Sequence, residues 1–231
     1  ASKTAPVAEK ISELLTATPV TSPSSATRAE LFMLLRALIL KVSAIHLAPL
    51  WPVINAELGT ALASALPHAE DSDRYDGASL LQACKLLDVL VTVSPDDFQL
   101  YEWLFVTDTI DAIYRPPEWT SAALVDEIAE AMGAATPGGE EQSLSAATGS
   151  AAGGPGGEGL RAPFLEPLLA ASGLDLRNLR REEVVSRVVR PFFGQLSISA
   201  FEATYGMQVP DVEACRRNLL ADLFDEGDGT T

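Results

Sequence analysis

The 231-residue sequence is 47% hydrophobic, enough to bury one large core or two small ones. It carries 32 acidic against 16 basic residues, a net charge of -16, which argues against nucleic-acid binding because Lys and Arg neutralising phosphates supply most of that affinity. A local basic surface is still allowed, since screening confines exposed charges to a range of about 10 Å.

The cysteines, Cys84 and Cys215, are far apart and neither belongs to a CxxC motif. No disulfide framework, zinc site or cofactor is expected, and a reducing compartment fits. His46 and His68 alone leave little material for histidine-based metal or triad chemistry. No signal peptide and no initiator methionine open the chain, so the first residues are expected to be a boundary inside a longer protein.

In chain order, Val7 to Leu15 has a short helical pattern, and the Thr, Ser and Pro of "TATPVTSPSSA" predict a loop. Thr27 and Glu30 form a capping box ahead of the run "LFMLLRALILKVSAIHL", predicting a helix that ends near Ile45. Arg36 and Lys41 interrupt that run, so it falls short of the roughly 18 uncharged residues that span a bilayer. Pro49 and Pro52 break the chain around Trp51, and Pro52 suits the first turn of a helix reaching about Leu66.

In "SLLQACKLLDVLVTV" the polar residues Gln82, Lys85, Asp88 and Thr92 fall on one narrow stripe. The rest of that helix is apolar, which predicts that neighbours enclose it. Ser94, Pro95 and Asp97 then read as the capped start of a helix carrying Phe98, Tyr101, Trp103 and Phe105. A helix over about Ser121 to Met132 with Gly133 as its stop follows.

From Thr136 to Gly159 the composition is too poor in large apolar residues to offset ordering entropy, so disorder is expected. Helical periodicity returns in "FLEPLLAASGL", "LRNLRREEVVSRVVRPFF", around Phe201, and in "VEACRRNLLADLF" after Asp211. No segment shows sustained strand alternation. The expected fold is all-α, antiparallel helical hairpins in a helical-repeat-like stack with a disordered Gly-rich insertion. Its expected parts are 1–26, a short helix and loop; 27–133, the main helical subdomain; 134–160, a linker; 161–225, C-terminal helices packing on the main subdomain; and 226–231, a tail.

The stretches "LLRALILKVSAIHLAPLWPVINAEL" and "LLQACKLLDVLVTVSPDDFQLYEWLFVTDTID" resemble the C-terminal region of the Dopey family, most specifically over about Leu31 to Arg115. The segments "VVRPFFGQLSISAFEATYG" and "LLADLFDE" resemble the family's final helices more weakly. The resemblance implies a scaffold rather than an enzyme, cytoplasmic and peripheral on Golgi and endosome membranes. Its implied partners are a scaffold related to large Arf exchange factors and a phospholipid flippase. Apolar helix faces also leave a homodimer open.

The residues themselves offer two kinds of site. Trp51 and Trp103 are candidate protein-binding anchors, since tryptophan is enriched among interface hot spots. Against this, a large aromatic is usually a core residue, and Phe98, Tyr101 and Phe105 share a helix face that excludes Trp103. Arg177, Arg180, Arg181, Arg187 and Arg190 form the one basic concentration, a candidate surface for phosphoinositides and other anionic lipids at about 1 kcal/mol per residue. Glu182 and Glu183 lie among them and suggest instead a self-paired, solvated face. The pairs Asp96 and Asp97, and Asp108 and Asp111, lack the histidines or further ligands that acid–base or metal chemistry needs.

Overall fold

The computed structural model describes residues 4–16, 23–66, 69, 72–106, 123–134, 164–169, 180–205 and 208–224. Its helices are α1 (Thr4–Leu15), α2 (Ser25–Lys41), α3 (Ala44–Leu47), α4 (Trp51–Ala63), α5 (Gly77–Val93), α6 (Asp96–Gln99) and α7 (Leu124–Ala134). Further along come α8 (Arg181–Val184), α9 (Arg190–Tyr205) and α10 (Val212–Phe224). The all-α expectation holds, with one small addition. Two-residue strands β1 (Phe164–Leu165) and β2 (Val209–Pro210) pair in parallel, Phe164 opposite Val209.

Several boundaries differ from those expected. The cap of α2 is Ser24, whose hydroxyl accepts from the Thr27 amide at 3.2 Å, so Thr27 lies inside the first turn instead of capping it. The helix ends at Lys41, and Pro49 falls in a 3-10 turn, Ala48–Leu50, that leads into α4. Pro52 does occupy the first turn of α4. Gly133 does not stop α7, which runs to Ala134. Most of "FLEPLLAASGL" that is described is strand and turn, not helix. The expected linker, Thr136 to Gly159, lies outside the described residues.

Helix α5 is the centre. All of its residues from Ser79 to Thr92 are buried, enclosed chiefly by α2, α4, α8 and α9. Its polar stripe is therefore buried too, and each charge on it is met. Arg36 of α2 donates to Gln82 at 2.7 Å and to Asp222 of α10 at 2.5 Å, and also to Asn218. Lys85 reaches the other Asp222 oxygen at 2.5 Å. Burial pushes the Asp222 carboxyl up, but Lys85 and Arg36 outweigh it and hold it below its ordinary range. Asp88 accepts the amides of Leu168 and Leu169, at 3.0 and 2.8 Å, from the segment after β1.

A second buried group ties α2 to α4. Arg28 pairs with Glu57, Tyr75 donates its hydroxyl to Glu57 Oε1 at 2.8 Å, and the Arg28 guanidinium lies 5.1 Å from the Tyr75 ring centre. Losing one partner of such a pair costs about 3–5 kcal/mol, because the other is left charged and buried. The thiols of Cys84 and Cys215 are buried, and burial pushes both up, Cys215 to about 11.

Between α8 and α9 the backbone widens into a π turn, Val185–Val189. Pro191 explains its place: its ring would clash with the carbonyl four residues back in a regular helix, and it brings no amide hydrogen. Val184, Val188, Val189, Phe192, Phe193 and Leu196 are nonetheless all buried along this one continuous rod.

Asp88 makes stability pH-dependent. Burial drives its carboxyl up to about 7, against the amides of Leu169 and Leu168 and the charges of Arg36 and Lys85. An unfolded Asp titrates near pH ~4, so between these values only the folded chain holds this proton. The contribution is fully present below about pH 4 and is lost as pH rises through about 7. Urea unfolding followed from about pH 5 to 8 should show a decline that Asp88→Asn flattens.

Candidate functional site

Helix α5 ends at Ser94, which adopts the left-handed region with φ 44° and ψ 63° and donates its amide to Leu90 O at 2.8 Å. Ser94 is thus the stop of α5, not the cap of the next helix. Gln99 fastens the reversal by donating to Ser94 O at 3.1 Å. Asp97 does not cap α6 either, since its carboxylate accepts the Trp51 indole N–H at 3.1 Å. Four residues of α helix and a 3-10 turn, Glu102–Leu104, replace the single helix expected here.

This irregular segment divides its apolar side chains cleanly. Phe98 and Phe105 point inward, fully or almost fully buried, with Phe98 packed 6.2 Å from Trp51 and 6.0 Å from Phe105 between ring centres. Tyr101 is half-buried against the same core. Leu100 and Trp103 point outward and are 71% and 63% exposed. The Trp103 N–H donates to Leu100 O at 3.0 Å, which fixes the indole and satisfies its one polar atom. What remains is a rigidly backed apolar projection. Leu100 was not singled out from the sequence, although its position three residues before Trp103 was a legible signal.

The structure separates the two candidate anchors. Trp51 is 2% exposed and belongs to the core, so the anchor role considered for it is corrected: its ring is spent on Phe98 and its N–H on Asp97. Trp103 remains available.

It also divides the arginines. Arg177 lies outside the described residues. Arg180 is exposed, 3.8 Å from Glu183, whose carboxyl is held below its ordinary range first by the Arg180 backbone amide. Arg181 turns inward, donating to Tyr75 O at 2.8 Å and Ser64 O at 2.6 Å. It joins α8 to the α4–α5 connection and is not offered to a ligand. Arg187 is exposed and Arg190 half-buried. Of the carboxylate pairs, Asp96 is exposed and Asp97 is taken by Trp51, while Asp108, Asp111 and His68 are outside the described residues. Among the described residues no three His, Cys, Asp or Glu side chains gather where they could hold a metal ion, and no helix is long and apolar enough to cross a membrane.

The family of C-terminal DOP1 domains matches residues 1–206. The chain belongs to that family. It is 48% identical to Protein dop1 of Emericella nidulans over 94% of this chain and 11% of that protein. It is 29% identical to Protein DOP1 of Saccharomyces cerevisiae over 84% of this chain and 10% of that protein. Protein DOP1B of Xenopus laevis is 28% identical over 35% of this chain and 5% of that protein. The chain thus spans about a tenth of the first two DOP1 relatives. No solved structure matches it. The DOP1 match covers both the Trp51–Phe98–Phe105 stack and the Leu100–Trp103 projection, and ends before α10.

Three substitutions check these placements. Trp51→Ala should destabilise the fold by about 3–5 kcal/mol in chemical unfolding, as removal of a buried large aromatic does. Arg181→Ala should cost about 1–3 kcal/mol through its two carbonyl bonds, while Arg187→Ala should leave the melting midpoint unchanged.

Proposed function

We propose that this chain is a non-catalytic helical scaffold domain of a Dopey-like protein in endosome-to-Golgi vesicle traffic. It works on the cytoplasmic face of those membranes, and its partners are a scaffold related to large Arf exchange factors, a phospholipid flippase, or both. Membership of the DOP1 family supports the pathway. The observation that carries the binding role is Trp103, an indole kept 63% exposed on a turn whose flanking Phe98 and Phe105 are locked in the core. A tryptophan so placed pays little ordering entropy on binding, the usual mark of a hot spot.

A second reading, peripheral binding to anionic phosphoinositide lipids, keeps the exposed Arg180 and Arg187 as its material. Arg181 subtracts from it, because its guanidinium is already bonded internally.

Co-purification tests the choice. Trp103→Ser should abolish capture of the partner scaffold or flippase while the melting midpoint stays within about 2 °C, as expected of a surface change. Flotation with phosphoinositide liposomes should be absent. Capture that survives Trp103→Ser would overturn Trp103 as the contact, and flotation that is seen and then lost on changing Arg180 and Arg187 to Glu would favour the lipid reading.

A further inference from the structure

The proposed Trp103 site lies in an unusual electrostatic setting. From residue 94 to residue 106 the sequence contains Asp96, Asp97 and Glu102 and not one Lys, Arg or His. Asp96 is exposed on α6, and Glu102 directly precedes Trp103. The apolar pair Leu100 and Trp103 thus stands in an acidic stretch of a chain whose net charge is already -16.

We propose that the Leu100–Trp103 turn docks a basic amphipathic helix of a partner protein, an inference that rests on the reading of this turn as the protein-binding point. The chemistry selects that occupant in three ways. A helix with apolar side chains at i, i+3, i+4 and i+7 offers a groove for two neighbouring apolar projections, and Lys or Arg on its flanks meet the acidic residues around them. An anionic membrane is repelled by the same carboxylates that attract the helix. A second copy of this chain, docking the same turn on itself about a two-fold axis, would bring like charges face to face. The projection is also preorganised, since the Trp103 N–H to Leu100 O bond and the Phe98–Phe105 stack hold it before any partner arrives.

Fluorescence anisotropy on the 231-residue chain tests this with synthetic helices. One carries leucines at i, i+3, i+4 and i+7 flanked by lysines, and its twin has glutamates in place of the lysines. The lysine helix should bind and weaken with added salt, the glutamate helix should not bind, and Leu100→Ser and Trp103→Ser should each weaken the lysine helix about tenfold or more. Unchanged circular dichroism and melting midpoint show that both variants are folded. Equal binding of the two helices, lost with Trp103→Ser, would overturn the charge selection and leave Trp103 as the docking point. Binding of the lysine helix that survives Trp103→Ser would overturn the site itself. No binding by either helix overturns the proposal, and Trp103-dependent dimerisation in sedimentation or Trp103-dependent liposome flotation would replace it with a second copy or a membrane.

Discussion

Complete enclosure of α5 is the constraint on which the rest of the structure depends. A helix buried on every side cannot send its charged side chains to water, so the stripe formed by Gln82, Lys85, Asp88 and Thr92 has to be answered from inside the protein. Three separate pieces of chain do this. Arg36 arrives from α2, Asp222 from α10, and the amides of Leu168 and Leu169 from the segment after β1. These contacts help fix where α10 and the β1 segment lie, and an apolar cluster of Leu40, Val89, Cys215 and Leu219 packs α10 on α2 and α5 as well. The family match stops at residue 206, so the carboxylate that satisfies both Arg36 and Lys85 comes from beyond it.

The exposed turn follows from the same enclosure. Because α5 is walled in, the chain leaving it reverses at once through the left-handed Ser94 and then runs back across the mouth of the core. Phe98 and Phe105 plug that mouth together with Trp51. Between them Tyr101 and Leu104 stay partly buried against the core, and Leu100 and Trp103 turn outward. The proline-flanked tryptophan that looks most like a recognition element is therefore the foundation, and the plainer Leu100 and Trp103 are what the foundation displays.

How much of this was legible depended on range. The periodicity of α2, α5 and α10 and the inward triplet of Phe98, Tyr101 and Phe105 were readable because they are local patterns. The cap of α2 was misplaced by three residues because Ser24, Ser25 and Thr27 compete within one turn, and only backbone geometry decides among them. Ser94 misled for a related reason: a serine before proline usually opens a helix, and its left-handed φ is visible only in three dimensions. The buried charges gave no local sign of their partners, which lie 137 and 186 residues away for Lys85 and Arg36 with Asp222. Arg181 looked like one of a basic group because its acceptors are carbonyls more than a hundred residues back. Strands of two residues offer no alternation to detect.

The π turn at Val185–Val189 acts as a one-residue spacer in a helix of otherwise fixed pitch. Each residue turns an α-helix by roughly 100°, so the spacer sets which way everything after it faces. Phe192, Phe193 and Leu196 are buried only in the phase that this spacer dictates. Regular winding of the same residues, without the wide turn, would swing those side chains away from α5 and α7 by about a quarter of a circle. The wide turn takes up its extra residue locally, so loss of one residue within it would leave Phe192, Phe193 and Leu196 facing the core, whereas the same loss in a regular stretch of helix would turn everything beyond it.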